Sequence, residues 1–251
     1  MSPEVHPAAA VGFGRSADAY ERGRPGFPMD AIGLVADRLG LRPGVTVLDL
    51  GAGTGKLSAD LRATGATVLA LEPVAAMRAA LVASLPDVVA IGGVAERVPL
   101  ADGCLDAAAA AQAFHWFDPD ATIRELHRVL RPDGGLGLVW NVRDEDDPLQ
   151  ASLSGIVAPH RGDAPAYRGA RWRDVFADSE LFRPLERSSF RHEQRLSADG
   201  VVDRIGSISF IAALDPPERD VVTAQVRHLL GRRTEVVLPY RTDVWITRRA
   251  G

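Results

Sequence analysis

The feature that most constrains this chain is the run from Asp49 to Gly55, which reads Asp-Leu-Gly-Ala-Gly-Thr-Gly. It follows residues 45–48, a β-branched and aliphatic run typical of a buried strand, and it leads into residues 56–61, which have the pattern of a helix start. Glycine lets a ligand lie directly against the main chain, and a new helix offers unpaired N–H groups to an electron-rich group. A strand that turns on three glycines into a helix therefore predicts a nucleotide-type site.

Further runs predict that strands alternate with helices along the chain. A strand is predicted over residues 105–111, although its alanines alone would favour a helix, because the run lies between a turn at Asp102 and a helix capped by Asp118. Strands separated by helices imply a parallel sheet, and such sheets bind ligands at the carboxyl ends of their strands. The predicted strands are residues 45–48, 66–71, 88–91, 105–111 and 136–140, with 185–192 and 236–248 completing the sheet.

The length of 251 residues suits one large α/β domain with an inserted cap, so a single domain is expected over residues 1–251. Residues 143–184 are charged and irregular, apart from a short helix predicted through Trp172. Two longer helices are predicted at about 198–213 and 216–230, and the second opens with Asp215 and Glu218 in capping-box spacing. The core is expected over about 30–142 with the two late strands, and a lid and cap that select the substrate over about 14–28, 143–184 and 198–230.

Composition excludes several classes of partner. A net charge of −4 gives no basic footprint for nucleic acid. No stretch approaches the roughly 18 apolar residues of a membrane span, and residues 1–13 lack the pattern of a signal peptide, so a cytoplasmic protein is expected. The only cysteine, Cys104, excludes an internal disulfide and a cysteine-built metal site, and no metal is expected. The oligomeric state does not follow from the sequence.

Three nucleotide chemistries compete for the glycine turn. A phosphate-binding P-loop is excluded because Leu57 follows Lys56, where that motif needs a serine or threonine. A dinucleotide site needs Gly-x-Gly-x-x-Gly, and with glycines at 51, 53 and 55 the third is one residue too close, although this alternative stays open. The remaining interpretation is S-adenosylmethionine (SAM), bound over a Gly-x-Gly-x-Gly turn with one acid ending the first strand and another ending the second.

Five motifs in order resemble one family. The chain resembles the class I SAM-dependent methyltransferases of the type 11 group, and within them the small-molecule branch that includes trans-aconitate methyltransferase-like proteins. This resemblance covers most of the chain and implies a Rossmann-like α/β fold, with a seven-stranded, mostly parallel sheet, helices on both faces, an antiparallel last strand and a helical cap. The motifs are Asp49–Gly55, Leu71-Glu72-Pro73, Ala95-Glu96, residues 111–117 and residues 128–135.

The resemblance also implies a set of cofactor-binding residues. Asp49, with the backbone of Gly51 and Gly53, is expected to hold the methionyl end of SAM, where a carboxylate can accept hydrogen bonds from the ammonium. Glu72 is expected to bind both ribose hydroxyls, and Tyr20 to reach the SAM carboxylate. The remaining expected contacts are Ala52, Gly55, Pro73, Ala95, Glu96 and Gln112.

The methyl acceptor is expected near the end of the fourth strand, where residues 112–117 follow. His115 is a candidate general base, and the alternative is a histidine that lines the pocket. Cap arginines suggest an anionic substrate, but Lys56 is the only lysine of the chain, so arginine is simply its general basic residue. The expected pocket residues are Tyr20, Arg24, His115, Trp116, Asn141 and Arg143, and the cap arginines are Arg143, Arg168, Arg171 and Arg173.

These expectations lead to one principal hypothesis and two alternatives. The principal one is SAM-dependent methyl transfer to oxygen, nitrogen or carbon of a small molecule, which yields S-adenosylhomocysteine. The first alternative is a SAM-binding enzyme of non-methylating chemistry, such as a cyclase. The second is a non-catalytic SAM-binding protein on the same fold.

Overall fold

A computed structural model describes residues 23–165, 167 and 171–251, with the side chain of Arg171 excepted. The predicted contacts of Tyr20 and the part of the lid over residues 14–22 lie outside the described residues, as does Arg168.

The described residues form one seven-stranded sheet. Its strands are β1 (Thr46–Leu50), β2 (Thr67–Leu71), β3 (Val89–Ile91), β4 (Leu105–Ala111), β5 (Leu130–Arg143), β6 (Glu186–Ser197) and β7 (Glu235–Arg248). Their order across the sheet is β3-β2-β1-β4-β5-β7-β6. Strands β1 to β5 run parallel to one another, and β7 is antiparallel to both β5 and β6. The predicted fold class, with its antiparallel last strand, is thereby confirmed.

Helices pack on both faces of this sheet. The α-helices of the described residues are α1 (Met29–Leu39), α2 (Lys56–Arg62), α3 (Ala75–Ser84), α4 (Pro119–Val129), α5 (Pro148–Val157), α6 (Asp174–Ala177), α7 (Ala198–Gly206), α8 (Ser209–Ala212) and α9 (Pro216–Leu230). Helices α1 to α3 bury apolar side chains against one face, and α4 and α6 pack on the other. A third core joins α5, α7, α8 and α9, here called the cap helices, to the start of β7.

Local sequence explains how the central elements form. The alanines of β4 are fully buried from Ala107 to Ala110, because a strand covered by helices on both faces needs small or apolar side chains. Asp118 caps α4 by accepting the Ala121 N–H at 3.1 Å, and Pro119 occupies the first turn. The predicted strand over 105–111 and the predicted cap at Asp118 are both confirmed. Residues 112–117, which join these two elements, therefore lie at the carboxyl end of β4.

The structure differs from the sequence prediction at four places. Strand β5 begins at Leu130, earlier than the predicted 136–140. Its register against β4 shifts between Leu105 and Ala107, so residues 131–135 form an irregularity within the strand. Helix α5 lies in a segment predicted to be irregular. The helix predicted over 198–213 is two helices that break at Ser207–Ile208. The predicted capping box of α9 is wrong, because the Asp215 side chain makes no hydrogen bond to the first turn of that helix.

Membrane-spanning helices and metal-binding clusters are both absent from the described residues. None of their helices is both long and apolar enough to cross a membrane. Within the same part of the chain, no three histidine, cysteine, aspartate or glutamate side chains gather as a metal site would require.

Candidate functional site

The three glycines of the turn serve different purposes. All have positive φ, at 64° for Gly51, 58° for Gly53 and 93° for Gly55. A Cβ on Gly51 would lie 2.8 Å from the Cβ of Ala113, whereas a Cβ on Gly53 would meet nothing within 4 Å. Gly51 therefore permits close packing, and Gly53 exposes the main chain to open space that a ligand can occupy.

Asp49 places a buried carboxylate with one unsatisfied oxygen beneath this turn. The residue is 1% exposed, and its Oδ2 accepts a hydrogen bond of 2.6 Å from the Ser58 hydroxyl. Its Oδ1 is buried and has no hydrogen-bond partner among the described residues. Burial raises the pKa of Asp49 to about 7, the Ser58 hydrogen bond opposes that rise, and the charge of Glu72 adds to it. A buried carboxylate oxygen of this kind fits an ammonium group, as the methionyl end of SAM would supply.

Glu72 joins the end of β2 to the glycine turn. Its Oε2 accepts the Gly53 N–H at 2.9 Å, and its Oε1 accepts the Val74 N–H at 2.8 Å. Burial raises the pKa of Glu72 in spite of these two bonds. Each oxygen keeps a lone pair that can accept a hydroxyl, so the geometry suits the predicted ribose contact.

The predicted cofactor residues Pro73, Ala95 and Glu96 are buried or hydrogen-bonded to other parts of the protein. The carbonyl oxygen of Pro73 accepts a hydrogen bond from Arg78, and Ala95 is buried. The Glu96 carboxylate accepts the backbone N–H of Asp118 at 2.8 Å, which positions the start of α4. A direct adenine contact by Glu96 stays a prediction.

Gln112 lies where two cavities meet. The first, the cofactor cavity, lies over the glycine turn and is lined in part by Asp49, Gly51 and Ala52. The second, the acceptor cavity, lies between the ends of β4 and β5 and the cap helices. Gln112 and Arg24 line both cavities. The φ of Gln112 is 55°, rare for a residue with a Cβ, and its N–H to Val139 and side chain to the Asn141 carbonyl hold it there.

The acceptor cavity has a volume of about 380 Å³ and brings together the predicted pocket residues that the structure describes. Such a volume lies in the range of small-molecule sites. The predicted pocket residues that line it are Arg24, His115, Trp116, Asn141 and Arg143, and they are joined by Gln112 from the predicted cofactor set.

The side chain of Asn141 forms hydrogen bonds to other parts of the protein. Its Nδ2 donates to the carbonyl oxygens of Pro25 and Gly26, and its Oδ1 accepts the Thr242 hydroxyl at 2.6 Å. Since both ends of the amide are occupied, Asn141 holds residues 25–26 against the end of the sheet. Asn141 lines the acceptor cavity and Pro25 lines the cofactor cavity, so this contact lies between the two.

His115 is held in one tautomer. The Trp140 indole can only donate, and its Nε1 lies 3.2 Å from the His115 Nδ1. The proton of the neutral ring therefore sits on Nε2. Burial lowers the pKa of His115 to about 3, with the charges of Arg24 and Arg161 adding to this effect, so the ring is neutral at neutral pH.

Comparison with known proteins identifies the family. A family model for a methyltransferase domain matches residues 48–138. Over 239 residues the chain is 38% identical to an uncharacterised methyltransferase of Mycobacterium tuberculosis, and the alignment covers 93% of each protein. The chain belongs to the class I SAM-dependent methyltransferases. Its cofactor is therefore SAM, as the glycine turn and the two acids predict.

Other relatives show the same likeness over most of the chain. An uncharacterised methyltransferase-like protein of Schizosaccharomyces pombe is 32% identical over 208 residues, which are 82% of this chain and 81% of that protein. The solved structure of a protein described as a type II methyltransferase from Anaeromyxobacter dehalogenans has a TM-score of 0.63 and 25% identity, and covers 90% of this chain and 97% of its own. These relatives do not specify the trans-aconitate branch, which stays a prediction.

The methyltransferase also places residues in the acceptor cavity that the sequence analysis missed. The most informative is Arg204, three positions after Val201 on the buried side of α7, where an arginine in an apolar stripe is an available signal. Arg161 lies in an irregular segment that offers no such signal. The missed residues include Glu145, Ser154, Arg161, Tyr167, Arg204 and Phe210.

The remaining cap arginine with a described side chain has a different role. The guanidinium of Arg173 lies 4.6 Å from the ring centroid of Trp172 and 4.7 Å from that of Tyr167. It also faces Trp245 at 5.1 Å. Arg173 packs on aromatic rings by cation–π contacts and does not line the acceptor cavity. The predicted part of Arg173 in substrate binding is therefore not supported.

Proposed function

We propose that this methyltransferase transfers the methyl group of SAM to oxygen, nitrogen or carbon of a small-molecule acceptor, and releases S-adenosylhomocysteine. The observation that carries the proposal is the junction of the two cavities at Gln112 and Arg24. A cofactor over the glycine turn and an acceptor under the cap helices would meet there.

The residues of the cofactor cavity can each be given a task. The unsatisfied Oδ1 of Asp49 would accept the ammonium of SAM, and the open main chain at Gly53 would lie against its methionyl and ribose parts. The carboxylate of Glu72 would accept the ribose hydroxyls while it holds the Gly53 N–H. Bound SAM supplies a methyl group already activated by the positive sulfur.

Positioning can supply most of the rate in this site. Holding the acceptor in line with an activated methyl group is worth effective molarities of roughly 10⁵ to 10⁸ M. Gln112 and Asn141 are suited to this because their side chains are fixed to the main chain across the junction. The chain therefore needs no strong base for a nucleophile that arrives deprotonated.

His115 is better suited to donate a hydrogen bond than to remove a proton. Its Nδ1 accepts the Trp140 N–H, which leaves the N–H of Nε2 to interact with the acceptor. Its role as a base stays a prediction, and the tautomer favours the alternative of a pocket residue that orients the acceptor.

A cytoplasmic location of the protein stays a prediction as well.

A turnover assay tests the function. The protein is incubated with SAM and a pool of cell metabolites, and mass spectrometry follows S-adenosylhomocysteine and products heavier by one methyl group. We expect both with the unmodified protein, neither with Asp49→Asn, and both with Asp30→Asn, the same change at an exposed acid outside the site.

Each other outcome has a meaning. Conversion of a metabolite without formation of S-adenosylhomocysteine would replace the proposal with the non-methylating alternative. SAM binding without any conversion, across acceptor pools of varied chemistry, would favour the non-catalytic alternative.

A further inference from the structure

We infer that the acceptor carries an anionic group, a carboxylate or a phosphate, which Arg143 and Arg204 bind at the end of the acceptor cavity away from the cofactor. This inference deepens the proposed function and rests on it. The group is an anchor, so the atom that takes the methyl group lies elsewhere on the acceptor.

Arg204 is the first observation. It is only 6% exposed, and it lines the acceptor cavity from α7. Its Nε donates to the Tyr240 hydroxyl at 3.2 Å, whereas its Nη1 is buried and has no hydrogen-bond partner among the described residues. A buried guanidinium with an unused donor is costly unless an anion satisfies it.

Arg143 places a second guanidinium in the same region. It lies opposite Tyr240 in the register of β5 with β7, and its Nη1 donates to the Ser154 hydroxyl at 3.2 Å. Burial lowers the pKa of Arg143 to about 10, and the charge of Arg204 adds to this effect. Burial alone would raise the pKa of Tyr240, but the charges of Arg204 and Arg143 outweigh it and lower that pKa. The three side chains share a strongly positive environment.

The described lining of the acceptor cavity holds more positive than negative side chains. It contains four arginines, at positions 24, 143, 161 and 204, and one carboxylate, Glu145. Glu145 is exposed, whereas Arg204 is buried. A ligand anion can therefore balance the buried part of the cavity, and the planar donors of arginine match a carboxylate or phosphate in two-pronged contacts.

The backbone position of Arg143 is set apart from the cofactor cavity along β5. Ala111 lines the cofactor cavity and pairs with Val139, and Arg143 lies four residues further along β5. At a strand rise of about 3.3 Å per residue, the main-chain positions of Val139 and Arg143 are about 13 Å apart. A metabolite that spans the cavity would thus place its nucleophile near Gln112 and His115 and its anion on Arg143 and Arg204.

Calorimetry with simple probes tests the inference. The unmodified protein, saturated with S-adenosylhomocysteine, is titrated in separate arms with succinate, inorganic phosphate and uncharged succinamide. We expect binding of at least one anion and none of succinamide; succinate alone would identify a carboxylate anchor and phosphate alone a phosphate anchor. Arg204→Gln and Arg143→Gln should each weaken the anion by tenfold or more, and Arg191→Gln, an exposed arginine on β6, should not.

The controls separate the possible failures. S-adenosylhomocysteine should bind each variant within about twofold of its normal affinity. If Arg204→Gln does not fold, Arg143→Gln and the succinamide arm still decide the question. The inference would be overturned if no anion bound, or if Arg204→Gln and Arg143→Gln bound the anion as tightly as the unmodified protein. Either result would leave the proposed function intact. Failure of the unmodified protein to bind S-adenosylhomocysteine would instead contradict the proposed function, and the anions would then be titrated without it.

Discussion

The affinity of the protein for S-adenosylhomocysteine should fall steeply as the pH is lowered from 7 to 5. The ligand-free protein holds Asp49 with a pKa of about 7, because the carboxylate is buried. An ammonium at its Oδ1 would need the ionised form, so below pH 7 binding must first remove a proton. The ammonium of the ligand itself stays largely protonated over this range, since an α-amino group titrates near pH 8.

The size of the effect follows from that pKa. The apparent dissociation constant scales with one plus ten to the power of the pKa minus the pH. Between pH 7 and pH 5 this factor rises about fiftyfold, equivalent to roughly 2.3 kcal/mol of binding free energy. The pKa of Glu72 is also raised by burial, so protonation of Glu72 would act in the same direction.

Stability should change in the opposite sense. The folded pKa of Asp49 lies above its unfolded value of 3.8, so the ligand-free protein loses stability as the pH rises from about 4 to about 7. Acid therefore weakens binding without weakening the fold through this residue. The two trends can be separated by measuring melting temperature and affinity in the same buffers.

The assay is calorimetric titration with S-adenosylhomocysteine at pH 5, 6 and 7, with two variants for comparison. Asp49→Asn should bind weakly and keep only the pH dependence that Glu72 contributes. Ser58→Ala removes the 2.6 Å hydrogen bond that lowers the pKa of Asp49, so its binding curve should move to higher pH. Equal affinity at pH 5 and pH 7 in the unmodified protein would refute the ion pair between Asp49 and the ammonium.

Three further predictions concern the same cavities. Glu72→Gln should weaken S-adenosylhomocysteine binding at least tenfold by calorimetry, and an unchanged affinity would remove Glu72 from the site. Both Gly51→Ala and Gly53→Ala place a Cβ on a residue with positive φ and should lower the melting temperature, but Gly51→Ala should lower it more, because only its Cβ would lie 2.8 Å from Ala113. Gly53→Ala should in addition lower cofactor affinity, and a larger loss of stability at position 53 than at position 51 would contradict the assignment of the turn. Once an acceptor is known, His115→Gln should raise KM more than it lowers kcat, since an amide can still donate, and a loss confined to kcat would restore the base hypothesis.

The sheet could be predicted because its determinants are local. Short apolar runs, the glycine turn at 51–55 and the cap at Asp118 each mark an element within a few residues. Helix α5 was missed although Asp147 caps it by accepting the Gln150 N–H at 2.8 Å, because that signal lies among other charged residues of an irregular segment. A capping residue is informative only where an apolar stripe follows clearly.

The cofactor site was more predictable than the acceptor site for a similar reason. Asp49 and Glu72 end adjacent parallel strands, so their proximity follows from topology alone. The tautomer of His115 depends on Trp140, 25 residues away in the chain. Arg204 reaches the acceptor cavity only because the cap helices fold back over β5 and β7, a tertiary arrangement that no local pattern specifies.

A crystal structure of the protein with S-adenosylhomocysteine would test the central claim most directly. The account predicts that the ligand ammonium lies within hydrogen-bonding distance of the Asp49 Oδ1, that the ribose hydroxyls contact Glu72, and that the sulfur faces the acceptor cavity across Gln112. A ligand whose sulfur points away from that junction, or whose ammonium lies far from Asp49, would contradict it.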